Sequence, residues 1–153
     1  MEYGSIEREL HIDATPEVVY EVISSPEHMR EWWPDGAEFD SVPGATGTIT
    51  FGDPTSPDAA TVPLTVLEAD PPRRFVFRWA FDEGPATETN SFLVTFDLVA
   101  SGEGTLLRFA ETGFRERGWE AAVLEETYLD HARGWDDFLP RLVKYANGLA
   151  ARP

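Results

Sequence analysis

Cysteine is absent from this sequence of 153 residues, and basic residues are few. Without cysteine there is no disulfide framework, no thiol nucleophile and no thiolate metal ligand. Only 12 lysines and arginines stand against 28 acidic residues, so the formal net charge is −16. A field of this sign repels phosphate groups, and we therefore expect neither nucleic-acid binding nor attraction to an anionic membrane. The acidity also fits a plain role as a solubilising surface.

Long apolar runs are absent as well, and none approaches the roughly 20 residues that a membrane-spanning helix requires. The first residues, Met1–Gly4, have neither the basic segment nor the apolar segment of a secretory signal peptide. We therefore expect a soluble protein of the cytoplasm. The length and the even composition predict a single domain that spans residues 1–153.

Aromatic residues, in contrast, are plentiful, with five Trp and ten Phe. Side chains of this size must pack together or line a cavity. Alternation along residues 74–81 predicts a strand that places four of them on one inward face: Phe75, Phe77, Trp79 and Phe81. Phe96 and Phe109 occupy inward positions in the next two predicted strands. The sequence thus predicts an aromatic wall on the inner face of a sheet.

Alternation and turn residues divide the chain into strands and helices. A first strand is predicted at residues 6–12. Two short helices follow it, each begun by a hydroxyl residue and a proline, Thr15-Pro16 and Ser25-Pro26. Six further strands are predicted up to Gly113, joined by hairpins, which favours an antiparallel sheet. From about Gly118 onward, apolar residues recur at helical spacing and predict a long C-terminal helix.

Several short motifs occur along the chain: IDATPEVVY at 12–20, SPEHM at 25–29, WW at 32–33, DPPRRF at 70–75, VTF at 94–96, GT at 104–105, ETGF at 111–114 and GW at 134–135. With the order of the elements, they make the sequence similar to the START-like (SRPBCC) superfamily over nearly its whole length. The specific resemblance is to the branch homologous to the activator of the heat-shock-protein ATPase.

This resemblance implies an α+β helix-grip fold. In that fold an antiparallel sheet of six to seven strands wraps around the long C-terminal helix, and two short helices follow the first strand. It also implies a cavity between the sheet and the helix. The same scaffold hosts lipid carriers, polyketide cyclases, hydroxylase domains and co-chaperones, so the fold leaves the function open.

The sequence gives no sign of a metal or cofactor site. Its three histidines, His11, His28 and His131, are scattered, and none forms a pair at metal-binding spacing with a third ligand in range. The glycines fall at hairpin turns and not between a strand and a helix, so no phosphate-binding loop is indicated. We expect neither a metal nor a cofactor.

Two charged residues, Arg8 and Glu111, fall on inward faces of the first and last predicted strands. A buried charge is costly unless it is paired. The first and last strands adjoin in a helix-grip topology, so we predict a salt bridge between Arg8 and Glu111. Such a pair can polarise a ligand, or it can be a structural ion pair at the strand ends, and the sequence leaves both open.

A second polar group is predicted on the long helix, where Tyr128, His131 and Trp135 are spaced three and four residues apart. They can hydrogen-bond the polar end of a ligand. Alternatively, Tyr128 and Trp135 belong to the core and His131 lies at its boundary. Trp33, at the end of the second short helix, is predicted near the mouth of the pocket, as an anchor for a ligand or as part of the core.

The leading interpretation is a non-catalytic domain that binds an apolar or aromatic small molecule. Its predicted wall comprises Trp33, Phe77, Trp79, Phe96, Phe109, Tyr128 and Trp135, with polar contacts from Arg8, Glu111 and His131. One alternative is a cyclase-like or hydrolase-like enzyme with Glu111 or His131 as general base. Another is a co-chaperone-like interaction module. The strong negative charge disfavours self-association at low salt, a homodimer stays open, and a chaperone partner is not expected.

Overall fold

The helices and strands follow one another in the order expected from the sequence. A computed structural model describes residues 5–53, 55–80, 91–113 and 121–150, which contain seven strands and three helices. The strands are β1 (Ser5–Ile12), β2 (Gly36–Glu38), β3 (Thr46–Phe51), β4 (Ala60–Asp70), β5 (Arg74–Ala80), β6 (Ser91–Ser101) and β7 (Gly104–Thr112). The helices are α1 (Pro16–Ser24), α2 (Pro26–Met29) and α3 (Ala121–Ala150). The α+β class, with two short helices after the first strand, is confirmed.

All seven strands belong to one antiparallel sheet, in the order β1-β7-β6-β5-β4-β3-β2. From β2 to β7, each strand pairs with the next one along the chain, which is the hairpin pattern that the turn residues predicted. β1 departs from this pattern because it pairs with β7. The first and last strands therefore adjoin, as the helix-grip resemblance implied.

The inner face of the sheet carries the predicted aromatic wall. On β5, Phe75 and Phe77 are fully buried and Trp79 is partly buried. The neighbouring strands β6 and β7 extend the wall with Phe96 and Phe109, whose ring centroids are 5.5 Å apart. Each fully buried side chain of this size contributes about 1.5–3 kcal/mol to stability. The alternation of the strands is therefore explained by the burial of one face.

The long helix α3 closes this core from the other side. Its buried side chains recur at three- and four-residue spacing and belong to the same core as the sheet: Trp135, Leu139, Leu142 and Ala146. The expected helix start near Gly118 and the inward position of Phe81 lie outside the described residues. Within the described ranges, none of the helices combines the length and apolar composition that crossing a membrane requires.

The two short helices position a tryptophan for the site described below. The side chain of Thr15 accepts a hydrogen bond from the backbone N–H of Val18, at 3.4 Å, and so caps α1. Beyond α2, the indole Nε1–H of Trp32 donates to the carbonyl oxygen of Val22 in α1, at 2.9 Å. This bond fixes the chain after α2 against α1. It thereby holds the adjacent Trp33 between the sheet and α3.

Candidate functional site

A small pocket lies between the sheet and α3, with a volume of about 140 Å³. Its lining combines three tryptophans with two phenylalanines, a histidine, an aspartate and a glycine: Trp33, Phe51, Trp79, Asp130, His131, Gly134, Trp135 and Phe138. Typical pockets for drug-sized ligands are about 300–1,000 Å³, whereas a cavity of about 150 Å³ accommodates benzene. The pocket therefore has room for a molecule of about one aromatic ring.

The walls of the pocket come from four elements of the fold. Trp33 follows α2, Phe51 ends β3, Trp79 lies on β5, and the remaining residues belong to α3. The rings pack closely, with centroid distances of 4.9 Å between Trp33 and Trp135 and 5.5 Å between Trp33 and Trp79. Trp33 is only 7% exposed and contacts rings from both the sheet and α3. It therefore contacts both sides of the pocket.

A fully buried carboxylate, that of Glu111, lies behind the pocket wall. The indole Nε1–H of Trp135 donates to its Oε1 at 2.9 Å, and that of Trp79 donates to its Oε2 at 3.0 Å. Nδ1 of His131 lies 2.7 Å from Oε1. An ionised carboxylate can only accept hydrogen bonds, so this last contact requires a proton on Nδ1 of His131. The three contacts compensate for the burial of the charge.

The predicted salt bridge between Arg8 and Glu111 is wrong. Both residues do lie on the inner faces of adjoining strands, where Ile6 pairs with Glu111 and Arg8 pairs with Phe109. The guanidinium of Arg8 instead binds Asp136 of α3, with Nε 2.8 Å from Oδ1 and Nη2 3.2 Å from Oδ2. The physical reason is that indole and imidazole groups already occupy the Glu111 oxygens, while the long Arg8 side chain reaches a carboxylate that water can still hydrate.

The hydrogen bond between Arg8 and Asp136 shifts both groups towards their charged forms. It raises the pKa of Arg8 above its ordinary value and holds the pKa of Asp136 below its usual range. The pair is partly hydrated, since the side chains of Arg8 and Asp136 are 34% and 57% exposed. Exposed ion pairs of this kind contribute at most about 1 kcal/mol to the free energy of unfolding.

We expect Asp136→Asn to lower the free energy of unfolding by less than about 1 kcal/mol at pH 7. Because the folded-state pKa of Asp136 is depressed, its contribution is present above the unfolded-state value of about 3.9 and is lost as pH falls through the folded-state value. Urea denaturation at pH 7 and at a series of lower pH values measures both effects. A loss of more than about 2 kcal/mol at pH 7, or a difference from wild type that persists in acid, would contradict this account.

The structure brings four of the predicted site residues together in the pocket lining: Trp33, Trp79, His131 and Trp135. Glu111 supports them from behind. Phe77, Phe96 and Phe109 are buried in the core and do not line the pocket. Tyr128 packs partly buried against the core, one turn before His131. Arg8 lies apart from the pocket on its ion pair with Asp136. A ligand-binding role for any of these residues stays a prediction.

Four lining residues were missed by the sequence analysis: Phe51, Asp130, Gly134 and Phe138. Three of them lie on α3 at helical spacing around the predicted residues His131 and Trp135, so the helical periodicity contained the signal for them. Phe51 ends β3, and no local pattern relates it to α3. Within the described part of the chain, no group of three or more histidine or acidic side chains is arranged to hold a metal ion.

The family model described as activator of Hsp90 ATPase homolog 1-like protein matches residues 13–147. The chain belongs to this family. The resemblance stated from the sequence motifs is thereby confirmed. Among curated protein sequences, none matches the chain significantly.

Solved structures of the same fold come from several bacteria. Protein MLL2253 from Mesorhizobium loti is 19% identical, with a TM-score of 0.74 over 94% of this chain and 97% of that one. The Aha1 dimer from Colwellia psychrerythraea is also 19% identical, with a TM-score of 0.71 over 94% and 96% of the two chains. CalU16 from Micromonospora echinospora is 20% identical, with a TM-score of 0.68 over 97% and 77%. At these identities the likeness shows the fold alone.

Proposed function

We propose that this protein binds a small, largely apolar molecule of about one ring in the pocket and does not alter it chemically. The observation that carries the proposal is the pocket of about 140 Å³, in which five of the eight lining residues are tryptophan or phenylalanine. Pockets for small molecules are concave and mainly apolar, with a few polar groups that orient the ligand. Here the imidazole of His131 and the carboxylate of Asp130 are those polar groups.

The size of the pocket limits the affinity that we expect. Very small ligands reach at best about −1.5 kcal/mol for each non-hydrogen atom, and immobilisation of the ligand opposes binding. A one-ring ligand should therefore bind with a dissociation constant in the micromolar to millimolar range, or about −4 to −8 kcal/mol. Ligand-observed NMR and calorimetry with phenol, indole and toluene are suitable for this range.

Gly134 offers a way to block the pocket without weakening the fold. A Cβ built on this glycine meets only Cε2 of Phe138, at 3.8 Å, which is an ordinary contact. Gly134 lines the pocket and lies within α3, where a glycine is about 1 kcal/mol less favourable than alanine. We expect Gly134→Leu to abolish binding of the ring probes while the free energy of unfolding stays equal or rises. Calorimetric titration and urea denaturation of the same samples measure both.

The matched control is Gly148→Leu on the same helix. A Cβ on Gly148 meets no atom within 4 Å, and this residue does not line the aromatic pocket. It should leave probe binding unchanged. The proposal fails if wild type binds none of the ring probes, or if Gly134→Leu binds them as well as Gly148→Leu does.

An enzymatic function is the second candidate, and one observation favours it. The imidazole of His131 lies in the pocket wall, and its Nδ1 contacts the buried carboxylate of Glu111 at 2.7 Å. A base oriented by a carboxylate in this way is an arrangement that enzymes use for general base catalysis. In this version His131 contacts the substrate and Glu111 positions it. If His131→Gln and Glu111→Gln both left the turnover of an identified substrate intact, this candidate would be rejected.

The co-chaperone alternative and a homodimer draw their support from names alone. The family description mentions the Hsp90 ATPase, and the Colwellia protein is an Aha1 dimer. We retain both as alternatives to the small-molecule proposal. Sedimentation velocity tests the dimer. A pull-down against purified heat-shock chaperone tests the other, and recovery of no complex would dispose of it.

A further inference from the structure

We propose that the pocket selects a cation, namely a compact alkylammonium group such as a quaternary ammonium head. This inference rests on the proposed function, since it names the class of ligand for the same pocket. It is carried by three features of the described residues: the aromatic walls, the orientation of two indole rings, and the charges around the pocket.

The aromatic walls provide the first argument. Cations are attracted to the faces of aromatic rings, most strongly to tryptophan, when they lie within about 6 Å of the ring centroid. Trp33 and Trp79 meet nearly at right angles, with an interplanar angle of 85°, and Phe51 meets Trp33 at 68°. Rings set at such angles can surround a compact group on more than one side. This shape fits a tetrahedral ammonium head.

The orientation of the indole rings provides the second argument. Trp79 and Trp135 both direct their Nε1–H groups to the carboxylate of Glu111. The positive edge of each indole is thus turned towards the buried anion and is compensated by it. A negative charge bonded to these edges also raises the electron density of both indole rings, which belong to the pocket lining. Trp79 and Trp135 therefore become better acceptors for a cation.

The charges around the pocket provide the third argument. Among the described residues, no lysine or arginine lines the pocket, and Asp130 lies in its wall. Asp130 is 76% exposed, and its ion-pair contact with Arg133 is long, at 3.8 Å. Among the described residues of the pocket wall and its support, Glu111 and Asp130 are acidic and His131 is the one basic side chain. The overall charge of −16 also attracts cationic ligands.

The deciding experiment compares three probes of nearly equal shape. Choline has a trimethylammonium head, 3,3-dimethylbutan-1-ol has the neutral carbon equivalent, and 3,3-dimethylbutanoate is an anion. Calorimetric or NMR titration of the wild-type protein should give choline the highest affinity, about 3- to 30-fold above the neutral alcohol, with the anion weakest. Gly134→Leu should abolish choline binding, which separates the pocket from general attraction to an acidic surface.

Two substitutions, each with a matched control, test which residues give the preference for choline over the neutral alcohol. Phe51→Leu keeps an apolar side chain but removes an aromatic ring. It should therefore lower the affinity for choline about 3-fold or more and change the affinity for the alcohol by less than about 2-fold. Phe39→Leu, at a partly buried residue outside the pocket lining, is its control. Asp130→Asn should weaken choline about 2-fold or more, whereas Asp137→Asn on the same helix removes an equal charge away from the pocket and should not.

Each outcome decides the inference. Preference for choline that Phe51→Leu reduces supports it. Equal or weaker binding of choline relative to the alcohol, or tighter binding of the anion, overturns the cation inference and leaves the proposed function standing. Binding of phenol or indole without binding of choline would likewise overturn the cation inference and leave the proposed function standing. If no ring probe and none of the three shaped probes binds to the wild-type protein, the inference and the proposed function both fail.

Discussion

Glu111→Ala is expected to lower the free energy of unfolding by about 3–5 kcal/mol. The substitution removes a fully buried carboxylate and leaves two indole N–H groups, of Trp79 and Trp135, without their acceptor. Hydrogen bonds to a charged group contribute about 1.5–3 kcal/mol each, and a buried donor without a partner carries the full cost of desolvation. Urea denaturation of wild type and variant at pH 7 measures the loss.

The control for this prediction is Glu126→Ala, at an exposed position of the same helix that carries His131. A surface substitution of this kind usually changes stability by no more than about 0.5 kcal/mol. A loss below about 1 kcal/mol for Glu111→Ala would contradict the account. It would show that water enters the vacated space and satisfies the indole groups.

A double-mutant cycle tests the individual bond to Trp79. Glu111→Gln replaces one carboxylate oxygen with an amide nitrogen that only donates, and it therefore cannot serve all three donors. If the amide nitrogen faces Trp79, two donors oppose each other, and Trp79→Phe should cost less in the Glu111→Gln background than in wild type. We expect a coupling energy of about 1–3 kcal/mol. Additive losses would show that the amide nitrogen does not face Trp79 or that the two side chains do not interact.

The fold was largely predictable because its patterns are local. Alternation along β5 identifies one buried face, since neighbouring side chains of a strand point to opposite sides of the sheet. Thr15-Pro16 marks the start of α1, and the helical spacing of Trp135, Leu139 and Leu142 marks the buried side of α3. Each of these signals needs only a few consecutive residues. The pairing of β1 with β7 is not local, and it came from the family resemblance.

The site was less predictable because its contacts depend on how α3 lies on the sheet. Strand parity places Arg8 and Glu111 on the same face, but it does not determine the direction in which a long arginine side chain extends. The position of α3 on the sheet brings Asp136 within reach of the Arg8 side chain. The position of α3 also determines which aromatic rings of the sheet and the helix are in contact and where the pocket lies between them. Phe51 therefore lines the pocket, although the sequence gives it no relation to α3.

The two interpretations of Trp135, as a core residue and as a ligand contact, do not exclude each other. The sequence left open whether Trp135 is core or ligand contact. The structure shows it buried, hydrogen-bonded to Glu111 and part of the pocket wall. The hydrogen bonds to Glu111 that stabilise the fold also hold the rings of Trp79 and Trp135 in the pocket wall. Stability and binding must therefore be measured on every variant of this site, because one substitution can change both.

Trp33→Ala is expected to combine a large loss of stability with a change in ligand size. Truncation of a buried tryptophan typically lowers the free energy of unfolding by about 3–5 kcal/mol. Here it would also remove the ring that lies 4.9 Å from Trp135 and 5.5 Å from Trp79, and so enlarge the pocket. The variant should bind naphthalene-sized probes that wild type excludes, and it should lose affinity for one-ring probes.

Phe96→Ala is the matched control, because Phe96 is fully buried in the same core but does not line the pocket. Both variants should lose about 3–5 kcal/mol in urea denaturation. Only Trp33→Ala should change the preference between one-ring and two-ring probes, in calorimetric titrations at a temperature at which circular dichroism shows both variants to be folded. Where stability proves too low, Trp33→Leu and Phe96→Leu provide the same comparison. An equal change in ligand preference for both positions would mean that general loosening of the core, and not the ring of Trp33, sets the size of the pocket.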